Sequence, residues 1–354
     1  MSKKALIIFG LSSLLLGEIA LASHIRAGEI IARRISARTY EFTFIGYRDT
    51  QGVEFGAEGI LQFGDGNSFN VTVDRWSRED IGNNTERWQF TERHTYEAAS
   101  NYLVSFTDIF RNADIQNIAG SDATPFHVET LVVIDPLISN STPFFTVPPI
   151  DQAIVGAVFE HNPGAFDPDG DSLSYRLVTP KQDRNVDVNG FRNLVDPSFY
   201  DDFAIGNSTN DGIPELSIDP VTGTLVWDAP GGATIQDMTC REFNVAFVVE
   251  EWRTIRGQVV QLGFVTRDMQ IIVCDFENDP PDLQIPEDTC VVAGMTVRGQ
   301  VFGTDPNGDQ VALQAFGGPF EVESPATFSP NPPVFQDQPG LLEFEWSTIC
   351  EHVR

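Results

Sequence analysis

Nearly every periodic stretch of this 354-residue chain has the period of a β-strand, and short clusters of turn-forming residues separate the stretches. "RTYEFTFIGY" (38–47), "NYLVSFTDI" (101–109) and "FNVAFVVEEW" (243–252) alternate, or run with β-branched and aromatic residues, as half-buried and fully buried strands do. Between them stand "GDGN", "DPDGD", "PVTGT" and "DPNGD", whose Gly, Pro, Asn and Asp supply the backbone conformations of tight turns. Amphipathic helical periods are scarce. Many short strands must bury their apolar faces against one another, so the pattern predicts an all-β chain of sandwich modules.

The first residues stand apart from this pattern. Lys3 and Lys4 precede the apolar run "ALIIFGLSSLLLG", and "ALA" at 20–22 supplies the small residues of a signal-peptidase site. This order predicts a signal peptide over 1–22, export, and a mature chain beginning at Ser23; a buried N-terminal helix is the alternative. The run is shorter than the roughly 20 residues that span a bilayer, and no later stretch approaches that length. A mature chain without a transmembrane helix, secreted or held at the cell surface, is therefore expected. With 22 basic and 51 acidic residues the net charge is −29, which repels polyphosphate and excludes a nucleic-acid partner. Solubility alone accounts for the total charge. Its clustering points to cation binding.

The four cysteines carry no CxxC spacing, so in an exported chain they predict disulfides rather than a metal site. Folding "CREFNVAFVVEEW" back on "VVQLGFVTRDMQIIVC" through a turn near Gly257 sets Cys240 opposite Cys274, Phe243 opposite Ile271 and Val245 opposite Met269. Apolar residues then share one face, as cross-strand pairing requires. Of the three possible connectivities, Cys240–Cys274 with Cys290–Cys350 is favoured.

Two segments repeat. "AVFEHNPGAFDPDGDSLSYRL" (157–177) and "RGQVFGTDPNGDQVALQAF" (298–316) share the order strand, acidic turn, strand, and "GTLVWDAP" (223–230) is echoed by "LLEFEWST" (341–348). The second unit continues well beyond Trp227, whereas few residues follow Trp346. The third unit is therefore expected to be truncated, as the N-terminal part of a longer protein or a shortened gene product would be. The predicted organisation is a signal peptide at 1–22 and modules at 23–135, 136–276 and 277–354.

The acidic turns need a physical account. Two carboxylates about 4 Å apart repel by about 4 kcal/mol at an effective dielectric near 20, so three or four together either splay into water or bind a cation. Calcium, a hard ion taking 6–8 oxygens in flexible geometry, suits alternating Asp with an intervening Gly. Pro168 and Pro306 bend the turns, and Gly170 and Gly308 permit the reversal. Candidate ligands are Asp167, Asp169 and Asp171 in the first turn and Asp305, Asn307 and Asp309 in the second. A solvated Asx turn would use the same residues for hydrogen bonding alone.

Three resemblances add to this reading. "LQFGDGN" (61–67) followed by "ERHTYEAASNYLVSFTD" (92–108) resembles the PKD family of immunoglobulin-like domains, with glycine giving the tight turn and Asp65 capping it. "DFENDPPDL" (275–283) is similar to the linker that brings calcium ligands between cadherin domains, which implies Asp275, Glu277, Asn278 and Asp279 as further ligands. The linker "DPLISNSTPFFTVPP" has no such pattern, so the first turn would take its remaining ligands from Asp135 or backbone carbonyls. Together these imply tandem immunoglobulin-like β-sandwich domains, PKD-like and then cadherin-like. "SHIRAGEI", "YEFTFIGYRD", "RDMQIIV", "NDPPDL" and "EDTCVVAG" follow the order seen in gliding-motility-associated, type IX-secreted surface proteins of Bacteroidetes. That resemblance implies a calcium-stiffened stalk or adhesin segment with a surface glycan or protein as partner, and no catalytic activity.

Enzymatic signatures are missing from the sequence: the five histidines show no HExxH spacing, and there is no GxSxG elbow, P-loop or Rossmann fingerprint. Glu250 and Glu251 are adjacent on a predicted strand and point to opposite faces, one expected in solvent and the other at an edge. A carbohydrate-binding module, or the accessory region of a secreted polysaccharide-active enzyme, is the alternative, with Trp76 or Trp88 as an exposed platform. Tryptophans of small sandwiches more often belong to the core.

Overall fold

The longest element is a hairpin, Cys240–Ile255 and Gln258–Cys274. Its two-residue loop places Arg256 and Gly257 at φ of 53° and 78°, the left-handed pair whose twist matches the flanking strands. The predicted register holds from Cys240↔Cys274 to Glu251↔Gly263 and then slips by one residue at Trp252↔Gln261, a β-bulge. Phe243, Val245, Phe247 and Val249 lie on one buried face.

The computed structural model describes residues 25–50, 59–108, 111–235 and 239–352, so the proposed signal peptide lies outside the described residues. The chain is all-β. Its largest sheet runs Ser68–Asn70, Ile60–Gln62, Ser100–Asp108, Phe126–Ile134, Gln258–Cys274, Ile25–Arg34, Thr39–Asp49, Thr85–Thr95 and Ser77–Asp80. The hairpin's second strand therefore sits between strands of the N-terminal region. One of its edges pairs with Cys240–Ile255, and the other takes Thr130–Val132, Ala27–Gly28 and, in parallel, Gln152–Ile154. Segments expected in separate modules on either side of 135–136 thus share one sheet. A boundary there would leave a 17-residue strand with an open edge, a template for aggregation.

The sheet also curls. Ser172–Val178 pairs with the free edge of Cys240–Ile255, and two residues later Lys181–Asp183 joins Phe126–Ile134. This brings the strand next to the hairpin round to the strand on its far side, giving a half-barrel. Two apolar cores flank it. The first gathers Tyr40, Phe42, Phe44, Phe90 and Phe106, and the second gathers Phe199, Trp227, Phe243 and Phe247. Trp88 is buried in the first core, and half-buried Trp76 meets Phe44, Phe90 and Phe106 edge-on. These rings serve packing, so the expected exposed platform is not presented at either position.

The "FGDG" turn has the geometry its glycines predict, with Gly64 and Gly66 at φ of 84° and 97°. Asp65 caps it, accepting from the Asn67 backbone N–H at 3.0 Å, and its other oxygen lies 2.7 Å from His94 Nε2.

A separate four-stranded sheet follows, ordered Asp282–Gln284, Thr296–Thr304, Gly340–Ser347 and Thr327–Ser329. Its last three strands repeat the order of Val158–His161, Leu225–Asp228 and Leu216–Ile218. Trp346 lies opposite Val297 as Trp227 lies opposite Phe159. After the first acidic turn the chain enters Ser172–Val178 and pairs with the hairpin, whereas after the second Val311 makes only an isolated bridge to Gln336.

Cys240 and Cys274 are joined. The pairing expected for Cys290 and Cys350 is not formed: both thiols are exposed and free. Cys290 lies outside any strand and Cys350 in a terminal 3-10 turn, so no register sets them opposite one another. The formed bond closes a 34-residue separation at the hairpin's open end, worth about 4 kcal/mol on the chain-entropy model. Replacing both cysteines, Cys240→Ala with Cys274→Ala, is expected to lower unfolding free energy by about 2–4 kcal/mol in denaturant titration, with the β-sheet circular dichroism signal retained.

Candidate metal centre

The turn "DPDGD" is organised by its first aspartate. The Asp167 Oδ1 atom accepts the backbone N–H groups of Asp169 and Asp171, each at 2.9 Å, and Gly170 takes φ of 83° to complete the reversal. Asp167 is 3% exposed, so this carboxylate points inward rather than into water. Asp171 is held differently, gripped by Arg253 through two contacts of 2.5 Å. The same guanidinium donates to the Ser139 carbonyl and to Asn140 Oδ1, both at 2.9 Å.

Asp169, the middle residue of the predicted trio, turns outward and accepts from the Ser141 backbone N–H at 2.7 Å. Ser141 and Thr142 in turn bond Arg34 and Ala32 of the first strand. The acidic turn therefore fastens the crossing segment 139–142 to the first strand of the sheet, at the junction whose linker carried no calcium pattern. Asp135, considered as a further ligand, instead accepts from the Leu137 backbone N–H.

The third member of the cluster is Glu251, which approaches Asp167 and Asp171 so that one carboxylate oxygen of each lies within 4.8 Å of the others. The expectation that one of Glu250 and Glu251 faces solvent and the other lies at an edge is corrected here. The two do point to opposite faces, but Glu250 bonds Arg176 and Ser174, while Glu251 is 0% exposed on a strand paired along both edges. Neither oxygen of Glu251 has a hydrogen-bond partner of acceptable geometry among the described residues, although Asn140 and Asp171 stand close enough to influence its charge. The bulge beginning at Glu251 and the bare backbone of Gly263 make room for it. A Cβ at Gly263 would sit 2.5 Å from the Leu131 carbonyl and 3.4 Å from Glu251 Oε2.

Burial and crowding dominate the electrostatics. Burial, reinforced by the Asp167 charge, pushes the Glu251 carboxyl up to about 9. Burial also raises Asp167 to about 6, against the pull of its two backbone donors and with the Asp171 charge adding to the rise. With all three acids ionised and Arg253 counted, the cluster carries two excess negative charges. A divalent cation would cancel them, and an all-oxygen donor set suits Ca²⁺ or Mg²⁺ rather than zinc.

The second predicted cluster is built otherwise. Asp305 Oδ1 accepts from Asn307 and Asp309, and Gln338 donates to the carbonyls of Asp305 and Asp309. The Asp279 backbone N–H donates to Asn307 Oδ1 at 2.7 Å, so the linker does reach the turn. Asp275, Glu277 and Asn278 make no such contact, and the one group of three metal-ligating side chains among the described residues is Asp167, Asp171 and Glu251.

No protein-family model and no curated protein matches the chain. Solved structures with some likeness include a protocadherin gammaB7 EC3-6 cis-dimer (12% identity, 92% of this chain and 69% of that one, TM-score 0.22). Tandem Ig repeats of Dlar align at 9% identity over 71% of this chain and 98% of that one, with a TM-score of 0.20. The endo-fucoidan hydrolase MfFcnA4 of glycoside hydrolase family 107 aligns at 13% over 91% and 39%, also at 0.20. Likenesses of this size carry no assignment of function.

The raised carboxyls fix the sign of a pH dependence. Without cation, the folded chain keeps protons on Asp167 and Glu251 that the unfolded chain releases near pH 4, so stability is lost as pH rises through about 6 and on toward 9. In chelator, the melting temperature is expected to fall by several degrees between pH 5 and pH 9 in differential scanning calorimetry. Glu251→Gln should remove most of that fall.

Proposed function

We propose that the protein is a non-catalytic, exported β-scaffold whose seam at Asp167, Asp171 and Glu251 is closed by a divalent cation, with calcium the best fit. Its role is that of a surface stalk or adhesin segment, with a surface glycan or protein as partner. One observation carries the reading: a fully buried glutamate facing two aspartates, with Asn140 as its neighbouring amide and no cationic side chain bonded to it among the described residues. A buried carboxylate without a cationic partner costs several kcal/mol when ionised, and two more beside it increase that cost. Protonation relieves it up to about pH 9 at Glu251 and about pH 6 at Asp167. A cation relieves it by displacing those protons.

Asp167, Asp171 and Glu251 would hold the ion, which supplies charge neutralisation and no reaction step. The work is mechanical. Glu251 belongs to the hairpin, Asp167 and Asp171 to the acidic turn, and that turn together with Arg253 holds segment 139–142, which is bonded to the first strand. Neutralising the cluster therefore stiffens the contact between the N-terminal strands and the second core. Extracellular modules bind calcium at about 0.1–1 mM, the range expected here.

Calorimetric titration of the full chain with CaCl₂ tests the reading. One site in that range is expected, with a raised melting temperature and fewer exchanging amides at 139–142 and 167–171. Asp167→Asn and Glu251→Gln should abolish the heat, while Asp305→Asn leaves it intact. A wild-type chain that takes up no calcium, and melts identically with and without chelator, would overturn the proposal.

A further inference from the structure

The curl of the large sheet encloses a cavity of about 330 Å³ on its concave face, away from the acidic cluster. Alternate residues of neighbouring strands look into it, as in the mouth of a small barrel: His127 and Glu129, Arg176, Val248, Phe264 and Thr266. Phe264 and Val248 form an apolar wall. Opposite them is a chain of polar groups: Thr107 Oγ1 lies 2.7 Å from His127 Nδ1, and His127 Nε2 lies 3.2 Å from Glu129. The second Glu129 oxygen accepts from the Lys181 ammonium. His127 and Glu129 are each no more than 3% exposed, so this wall is preorganised rather than solvated.

Lys181 is the single lysine after Lys4 in a chain of net charge −29, and it stands at this cavity. Its ammonium keeps donors beyond the one directed at Glu129. Arg176 is fixed through Nε to Glu250, which leaves its terminal nitrogens directed elsewhere. Lys181 is paired with Glu129, Arg176 with Glu250, and Asp268 at the base with Arg111 at 2.6 and 3.0 Å, so the exposed Asp187 is the one lining charge without an ion pair among the described residues. The lining therefore offers donors and acceptors whose charges, exposed Asp187 apart, are already paired, beside an apolar surface. A charged ligand would have to displace one of these existing ion pairs or sit at exposed Asp187. A neutral ring bearing hydroxyls, each both donor and acceptor, with an apolar C–H face satisfies both walls.

We infer that this concavity binds a single neutral monosaccharide unit. The volume lies at the small end of the range for ligand pockets, about 300–1,000 Å³, which accommodates one ring rather than a chain segment. This site is independent of the cation centre, so either can fail without the other.

The test uses the full chain with glucose, galactose, mannose, fucose and N-acetylglucosamine, and with glucosamine and glucuronate as charged counterparts. Saturation-transfer NMR is expected to show saturable binding of at least one neutral sugar, with a dissociation constant on the order of 1–10 mM. The same sugar should slow acetylation of Lys181 severalfold in peptide mapping, and its charged counterparts should bind at least tenfold more weakly. Thr266→Phe, which fills the cavity without touching its charges, should abolish both effects and keep the wild-type melting response to calcium or chelator. If that variant fails to melt cooperatively, Lys181→Gln at the rim serves instead, with at least tenfold weaker binding expected. No saturable binding by any neutral sugar, preference for a charged sugar, or wild-type binding by the folded variant would each overturn the inference.

Discussion

The structure depends on one strand, Gln258–Cys274, having both edges occupied. Its first edge is filled by its own hairpin partner, a local contact set by the Arg256–Gly257 turn. The second is filled by three segments distant in sequence, each contributing only two or three paired residues. These short pairings are individually weak, yet together they cover the edge and join the two apolar cores. What would otherwise be two sandwiches becomes a curled sheet with a concave side and a seam. Both the cavity and the acidic cluster are products of that join: the cavity lies inside the curl, and the cluster lies where the hairpin's far end meets the crossing segment.

Buried charge elsewhere in the chain shows what is unusual about the cluster. Arg267 and Glu29 are both buried and paired at 2.8 Å, with the guanidinium also donating to the Val147 carbonyl. Arg111 makes a two-pronged contact with Asp268 and further bonds to Asn244 and the Lys181 carbonyl. In both, attraction and hydrogen bonding offset the loss of water, the condition under which buried ions persist. Arg253 does the same for Asp171 and turns its remaining donors to Ser139 and Asn140. It does not reach Glu251, whose pKa rises because burial and two like charges act on it without a cationic partner.

Much of this was legible in the residues. Alternation fixed the hairpin register, because a slip by one would turn Phe243, Val245, Phe247 and Val249 to the wrong face. The same register predicts the Cys240–Cys274 bond and the glycine turns. The shared sheet was not legible, since local period says that a strand exists but not which distant strand fills its second edge. Glu251 was partly legible: it continues the period-two series of Phe243 to Val249, and a carboxylate at a core-facing position is a signal in its own right. The reading that placed either it or Glu250 in solvent weighed the pair's opposite directions and passed over which face was buried.

The two acidic turns separate what a motif determines from what its surroundings do. Both "DPDGD" and "DPNGD" fold identically at the backbone: the first Asp accepts from the residues two and four further on, and the Gly takes a left-handed φ, 83° in one and 90° in the other. The motif therefore encodes a turn. Chemistry enters with the neighbour. In the first copy the following strand pairs with the hairpin, which buries Asp167 and delivers Glu251 and Arg253. In the second copy no such strand forms, Asp305 stays half-exposed, and the neutral side chain of Gln338 latches the turn. A carboxylate cluster that water can solvate needs no counter-ion, whereas one sealed beneath a paired strand must hold protons or a counter-ion. The proposed divalent-cation site thus depends on the packing of a distant hairpin over the turn, and the aspartates alone would not provide it.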